Sequence, residues 1–134
     1  MTATSRILAL AALLYSFPAI SADNTWVTIA ETDGGKWQIK SGSLEFTSNK
    51  SNVAIAVVIG RTISKKQQID LYKWYVTAPD CKAGMGQLVS LSLQGEFKFE
   101  NDFVEDGGNI ASAVAEIICG AAKMQIEASE KKGI

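Results

Sequence analysis

The hydrophobic pattern of this chain changes period once, and that change limits what it can fold into. From Trp26 to Glu100 apolar residues recur in short runs, several alternating with polar residues as strands require. From Ile110 they recur at helical spacing, with Ile110, Ala113, Val114, Ile117, Ala121 and Met124 following i, i+3, i+4, i+7. Strands gathered first and a helix last describe an α+β domain, an antiparallel sheet of about six strands with one C-terminal helix on one face.

The segments carry further detail. Trp26 to Glu31 is a first strand, and Asp33-Gly34 before the next apolar run is a hairpin signal. Lys36 to Lys40 turns Trp37 and Ile39 one way, and Ser43 to Thr47 turns Leu44 and Phe46 inward. The polar turn that follows contains Asn49-Lys50-Ser51, a glycosylation triplet of a kind common by chance. Val53 to Arg61 is apolar on both faces, like a strand covered on both sides. Ser64 to Gln68 is a solvated connection. In Ile69 to Thr77, Leu71 and Tyr75 share one face while Tyr72, Trp74 and Val76 share the other, and Pro79 ends the strand. Leu88 to Glu100 alternates as one strand, with Val89, Leu91, Leu93, Phe97 and Phe99 on one face and Gly95 marking a bulge or a close approach. Gly107-Gly108 leads into the helix, which Asn109 or Asp106 can cap. Around its wheel Ala111, Ala115, Ile118 and Ala122 extend the apolar arc to one side, Ser112, Glu116 and Lys123 form a polar edge, and Cys119 lies on the boundary.

Residues 1–22 have the form of a secretory signal. Arg6 supplies the positive end, Ile7 to Tyr15 the apolar core, and Ala19-Ile20-Ser21-Ala22 the small residues of a cleavage site. The core is shorter than the roughly 20 apolar residues of a membrane span. No cysteine sits beside the cut, which argues against a lipid anchor. The rest divides into a domain over 23–126 and a charged flexible tail over 127–134. The expected location is periplasmic, secreted or at the cell surface. Removing residues 1–22 takes one base, Arg6, and no acid, so the net charge of −1 becomes −2. Such a balance offers nothing to nucleic acid or to an anionic membrane. The chain has no histidine, so the commonest general base and the commonest transition-metal ligand are both missing. In an oxidising compartment the two cysteines, Cys81 and Cys119, form a disulfide. Cys81 follows a strand and Cys119 lies on the helix, so the bridge ties helix to sheet.

The same order resembles the bacterial surface-adhesin protein E family. The features that match are an exported chain, a tryptophan opening the domain (Trp26 in TWVTIAE) and an antiparallel run of strands. A cysteine in a glycine-bearing turn (Asp80 to Gly86) and a C-terminal helix with a second cysteine (Ile117-Ile118-Cys119-Gly120) complete the match. The resemblance implies a six-stranded antiparallel sheet with one helix tethered by a disulfide, with Cys81 and Cys119 in that bridge. It also implies binding of host matrix or plasma proteins.

One helix cannot cover both faces of such a sheet. Ala54, Ala56 and Val58, with either Tyr72 and Trp74 or Leu71 and Tyr75, are therefore expected to face away from it and to meet a protein partner or a second copy of the chain. Asp102, Glu105 and Asp106 lack the spacing of a calcium loop and fit a solvated helix entry. Glu96 and Glu100 lie on the solvent face of a strand. Neither set makes a metal site or an active site, and no cofactor, metal or enzymatic activity is expected. Two function classes follow. One is an adhesin-like protein-binding module. The other is a periplasmic inhibitor or accessory factor for a hydrolase such as lysozyme, which would need Lys82 to Gln87 as a protruding loop.

Overall fold

The computed structural model describes residues 25–132, with side-chain surroundings through residue 128; the signal sequence read at 1–22 lies outside them. Strand β1 (Trp26–Thr32) turns through Asp33-Gly34 into β2 (Gly35–Lys40), with Thr32 opposite Gly35. The Thr32 hydroxyl accepts from the Gly34 amide at 3.0 Å and braces this two-residue hairpin. Then come β3 (Glu45–Ser48), β4 (Ala54–Ser64) and β5 (Ile69–Thr77), followed by β6 (Met85–Leu91) and β7 (Phe97–Val104). All pairs are antiparallel, in the order β1-β2-β4-β5-β6-β7, with β3 also on β4.

The sheet has seven strands because one line of it is broken. β2 pairs with the Gly60–Ser64 half of β4 and β3 with the Ala54–Val57 half, so the two share one edge of β4. Between them the chain jogs at Ser41–Leu44. Ser43 plugs the gap, its hydroxyl donating to the Lys40 carbonyl at 2.7 Å and accepting from the Ile59 amide at 2.9 Å. An amide left orphaned inside a sheet would be costly.

Two expectations about local structure are corrected. Leu88 to Glu100 is not one strand. It folds back on itself as β6 and β7 around a turn in which the Gly95 amide donates to the Ser92 carbonyl, and Gly95 has φ +95°. Period-2 alternation runs unbroken through a tight turn when the turn residues keep the polar–apolar count, so the pattern alone hid it. Cys81 follows β5 as read but sits in a helical turn, α1 (Ala78–Ala83), so its bridge ties helix to helix and not helix to sheet. Thr77 caps α1 by accepting from the Asp80 amide at 3.2 Å, and Gly84 ends it in the left-handed conformation.

Helix α2 (Ile110–Lys132) crosses one face of the sheet. It continues to Lys132, past residue 126 where the flexible tail was expected to begin. Asn109 caps it, its side-chain oxygen accepting from the Ser112 amide at 3.2 Å. The buried arc is Ala111, Val114, Ala115, Ile118 and Ala122, while Ile117 is 47% exposed and Met124 71% exposed. The helix is thus turned by about a quarter turn from the stripe read in the sequence. Both arcs have helical spacing. The small residues Ala111, Ala115 and Ala122 let the buried arc lie close to the sheet, and Cys119 beside it bonds to Cys81 with the Cα atoms 5.4 Å apart. Ser112 is also buried, accepting from the Val104 amide at 3.1 Å and donating to Asn109.

The core under α2 comprises Ile39, Ala56, Val58, Trp74, Val76, Leu88 and Phe103. This overturns the expectation that Ala54, Ala56 and Val58, with Tyr72 and Trp74, face away from the helix. Apolar residues on both faces of β4 leave its orientation open in the sequence. The deciding contact is Gly60, where a Cβ would lie 2.2 Å from the Trp74 ring, so the indole occupies space only a glycine leaves. Leu71 and Tyr75 do lie on the opposite face, with Ile55 and Val57 from β4. The polar end of that face is tied together. The Arg61 guanidinium stacks on the Trp26 ring at 4.2 Å and donates to Gln38 at 2.7 Å, and Gln38 donates to Thr28 at 3.0 Å.

Candidate functional site

The helix covers the middle of its face and leaves a depression at each end. One is a groove of about 890 Å³ beside the C-terminal half of α2. Its walls are Phe46 on β3, Ala54 and Ala56 on β4, Phe103 on β7, and Ala122 and Ile126 on the helix. Charged residues border it, with Lys82 and Lys123 among Glu105, Asp106, Glu116 and Glu127. The disulfide lies in its wall. Phe46 was expected to point inward; it shares the helix-facing side with its pair partner Ala56 but is 47% exposed, because β3 lies at the groove's margin.

The second depression is an aromatic cleft of about 500 Å³ at the N-terminal end of α2. Trp37, Tyr72, Trp74 and Phe99 line it. The Tyr72 and Trp74 rings stack with centroids 6.0 Å apart, and Phe99 meets Tyr72 edge-on at 5.7 Å. Partial burial and the neighbouring Asp70 charge push the Tyr72 phenol above the ordinary tyrosine range; the hydrogen bond with Thr62 acts the other way and is outweighed.

The five partner-binding residues expected from the sequence are thus separated. Ala54 and Ala56 line the groove, Tyr72 and Trp74 line the cleft, and Val58 is buried under the helix between them. Cys81 and Cys119 meet as expected. Lys82 to Gln87 does not protrude. It is the end of α1 and the start of β6, held by the Glu105 amide donating to the Gly84 carbonyl at 2.7 Å and the Gln87 amide donating to Asp80 at 3.1 Å. The inhibitor reading has no free loop there. Asn49 is engaged in its own turn, accepting from the amides of Ser51 and Val53 at 2.9 and 3.0 Å. Of the acids before α2, Asp102 has its carboxylate engaged and Asp106 its backbone amide. Asp102 accepts from Gln87, and Glu116 accepts from the Asp106 amide. Among the described residues no cluster of three or more His, Cys, Asp or Glu could hold a metal ion, and no helix is long and apolar enough to cross a membrane.

The sequence reading missed the groove as a site because its walls come from β3, β4, β7 and both helices. It missed Ser90 and Phe99 as cleft residues because β6 and β7 were read as one strand, and Trp37 because it comes from β2, distant in the chain. Gly60 was the available signal for the cleft, since a glycine inside an apolar strand marks a close approach of another group. Comparison with protein-family models, with curated proteins and with solved structures gave no match.

Proposed function

We infer that this chain is an exported protein-binding module of the adhesin type, which holds a segment of its partner in the groove beside α2. The observation that carries the reading is the groove itself. Its volume of about 890 Å³ suits a short peptide segment, and its walls are apolar with charges of both signs at the margin. Along it runs β3, a four-residue strand whose pairing among the described residues is to β4. A free strand edge beside an apolar groove can take an added strand from a partner, with main-chain hydrogen bonds giving affinity and side-chain pockets giving choice. The disulfide supports export, because such bonds persist in oxidising compartments.

The test uses the purified domain against periplasmic extract and against host matrix and plasma proteins, with the captured partner identified and its affinity measured. Phe46→Asp should weaken that complex at least about tenfold, the scale of a lost apolar anchor, while Leu71→Asp on the opposite face should leave it unchanged. Undiminished binding by Phe46→Asp, or loss by Leu71→Asp alone, would reject the groove. Protease treatment of intact cells then separates surface display from periplasmic residence.

A further inference from the structure

Ser90 is 1% exposed and lines the aromatic cleft, yet its hydroxyl has no hydrogen-bond partner among the described residues. It stands on the helix-facing side of β6, opposite Trp74 of β5 and Phe99 of β7. A buried hydroxyl without a partner is unfavourable, and native structures keep few of them. Ser112, equally buried, shows the ordinary condition, with two partners.

The other polar side chains of the cleft narrow what could satisfy Ser90. Thr62 is hydrogen-bonded to Tyr72, Ser64 accepts from the Gln68 amide at 3.1 Å, and Asn109 caps α2 while donating to the Asp102 carbonyl at 3.0 Å. The exposed Asn101 and Lys36 remain, and they lie at the mouth. No carboxylate lines the cleft. The interior thus offers aromatic surface, the Ser90 hydroxyl and, as donors only, the indole N–H groups of Trp37 and Trp74. A sugar would lose the hydration of several hydroxyls there and meet one hydroxyl and at most two indole donors in return, which is unfavourable. A charged ligand would be desolvated with Lys36 as its one charged neighbour. A flat ring with one polar substituent loses little and gains the aromatic walls.

We propose that the cleft binds a neutral aromatic ring bearing one hydrogen-bonding group, of the phenol type, with that group seated on the Ser90 hydroxyl. The ring can come from a free small molecule or from a tyrosine side chain of another protein. The site is separate from the groove and stands whether or not the groove binds a peptide.

The test follows the fluorescence of the tryptophans in the intact domain during titration with four probes: p-cresol, toluene, methyl glucoside and N-acetyl-tyrosinamide. The expected result is saturable binding of p-cresol about tenfold tighter than toluene, the worth of one hydrogen bond, and no binding of methyl glucoside. In Ser90→Ala the preference for p-cresol over toluene should vanish, while toluene binds as before and the thermal midpoint is unchanged or raised. N-acetyl-tyrosinamide binding more tightly than p-cresol identifies a protein side chain as the source; the reverse order identifies a free ligand. Equal binding of p-cresol and toluene by the wild type, failure of both, or tighter binding of methyl glucoside would overturn the proposal. So would a lowered midpoint in Ser90→Ala, since that would mean the hydroxyl is already satisfied within the fold.

Discussion

At Gly60 a Cβ would stand 2.2 Å from the Trp74 ring, so the largest side chain of the core rests on a strand position with no side chain of its own. That contact fixes which face of β4 and β5 meets the helix, and it places Tyr72 one pleat away, stacked on Trp74 at the cleft. Tyr72 carries a measurable consequence. Its folded pKa is raised, by burial first and by Asp70 second. Below the ordinary tyrosine value of about 10 the phenol is neutral in both folded and unfolded chains, and its contribution to stability is complete. That contribution is lost as pH rises through the raised folded value. The alkaline titration should therefore show a late phenolate step that Tyr72→Phe lacks. Across that step the wild type should lose stability that the variant does not. Identical phenolate titrations, apart from the missing group's amplitude at its ordinary position, would contradict the shift.

At the scale of elements, α2 is apolar on two arcs, and periodicity cannot say which one a helix buries. The structure buries the arc of Ala111, Val114, Ala115, Ile118 and Ala122. Ile118 is fully enclosed, so Ile118→Ala should cost about 3–4 kcal/mol through lost contacts and the cavity left behind. Its chain neighbour Ile117 is half exposed, and Ile117→Ala should cost under about 1 kcal/mol. Denaturant unfolding of the two variants checks the rotation, and equal losses would refute it. The elements also show where the sequence was legible. The hairpin at Asp33-Gly34 and the β5 strand depend on residues close in the chain and stand as read, and of the two caps read for α2, Asn109 or Asp106, the structure uses Asn109. The turn at Gly95 and the jog at Ser43 were not legible. Each keeps the hydrophobic alternation intact; the Gly95 turn shows only in the pairing of β6 with β7, and the jog only in the bond of Ser43 to Ile59 on β4.

Across the whole molecule, the disulfide joins α1, at the end of β5, to the middle of α2, 38 residues later in the chain. Closing a loop of that length should contribute about 4 kcal/mol, mainly by restricting the unfolded chain. Reduction, or Cys119→Ala, should lower stability by that order in a chemical denaturation experiment, and an effect below about 1 kcal/mol would mean the reduced chain keeps the same constraint by other means. The bridge also borders the groove, so reduction is expected to loosen that wall as well. The cleft at the other end of the helix lies away from the bridge and draws its walls from β2, β4, β5, β6, β7 and α2. Both depressions exist because one helix crosses a sheet wider than itself.

The sequence by itself determined the fold class, the order of strands before helix, and the pairing of Cys81 with Cys119. These follow from period, turn chemistry and cysteine count, which are properties of residues near one another in the chain or of the chain as a whole. Only the tertiary structure decided which faces meet. That choice put Ala56, Val58 and Trp74 under the helix, turned Ile117 and Met124 outward, and left the Ser90 hydroxyl buried at an aromatic cleft with no partner among the described residues. The physical reason is that β4 and α2 are apolar on more than one side. Hydrophobic burial alone is then satisfied by more than one packing, and the choice falls to steric fit at Gly60, close approach at the alanines of α2, and the reach of one disulfide.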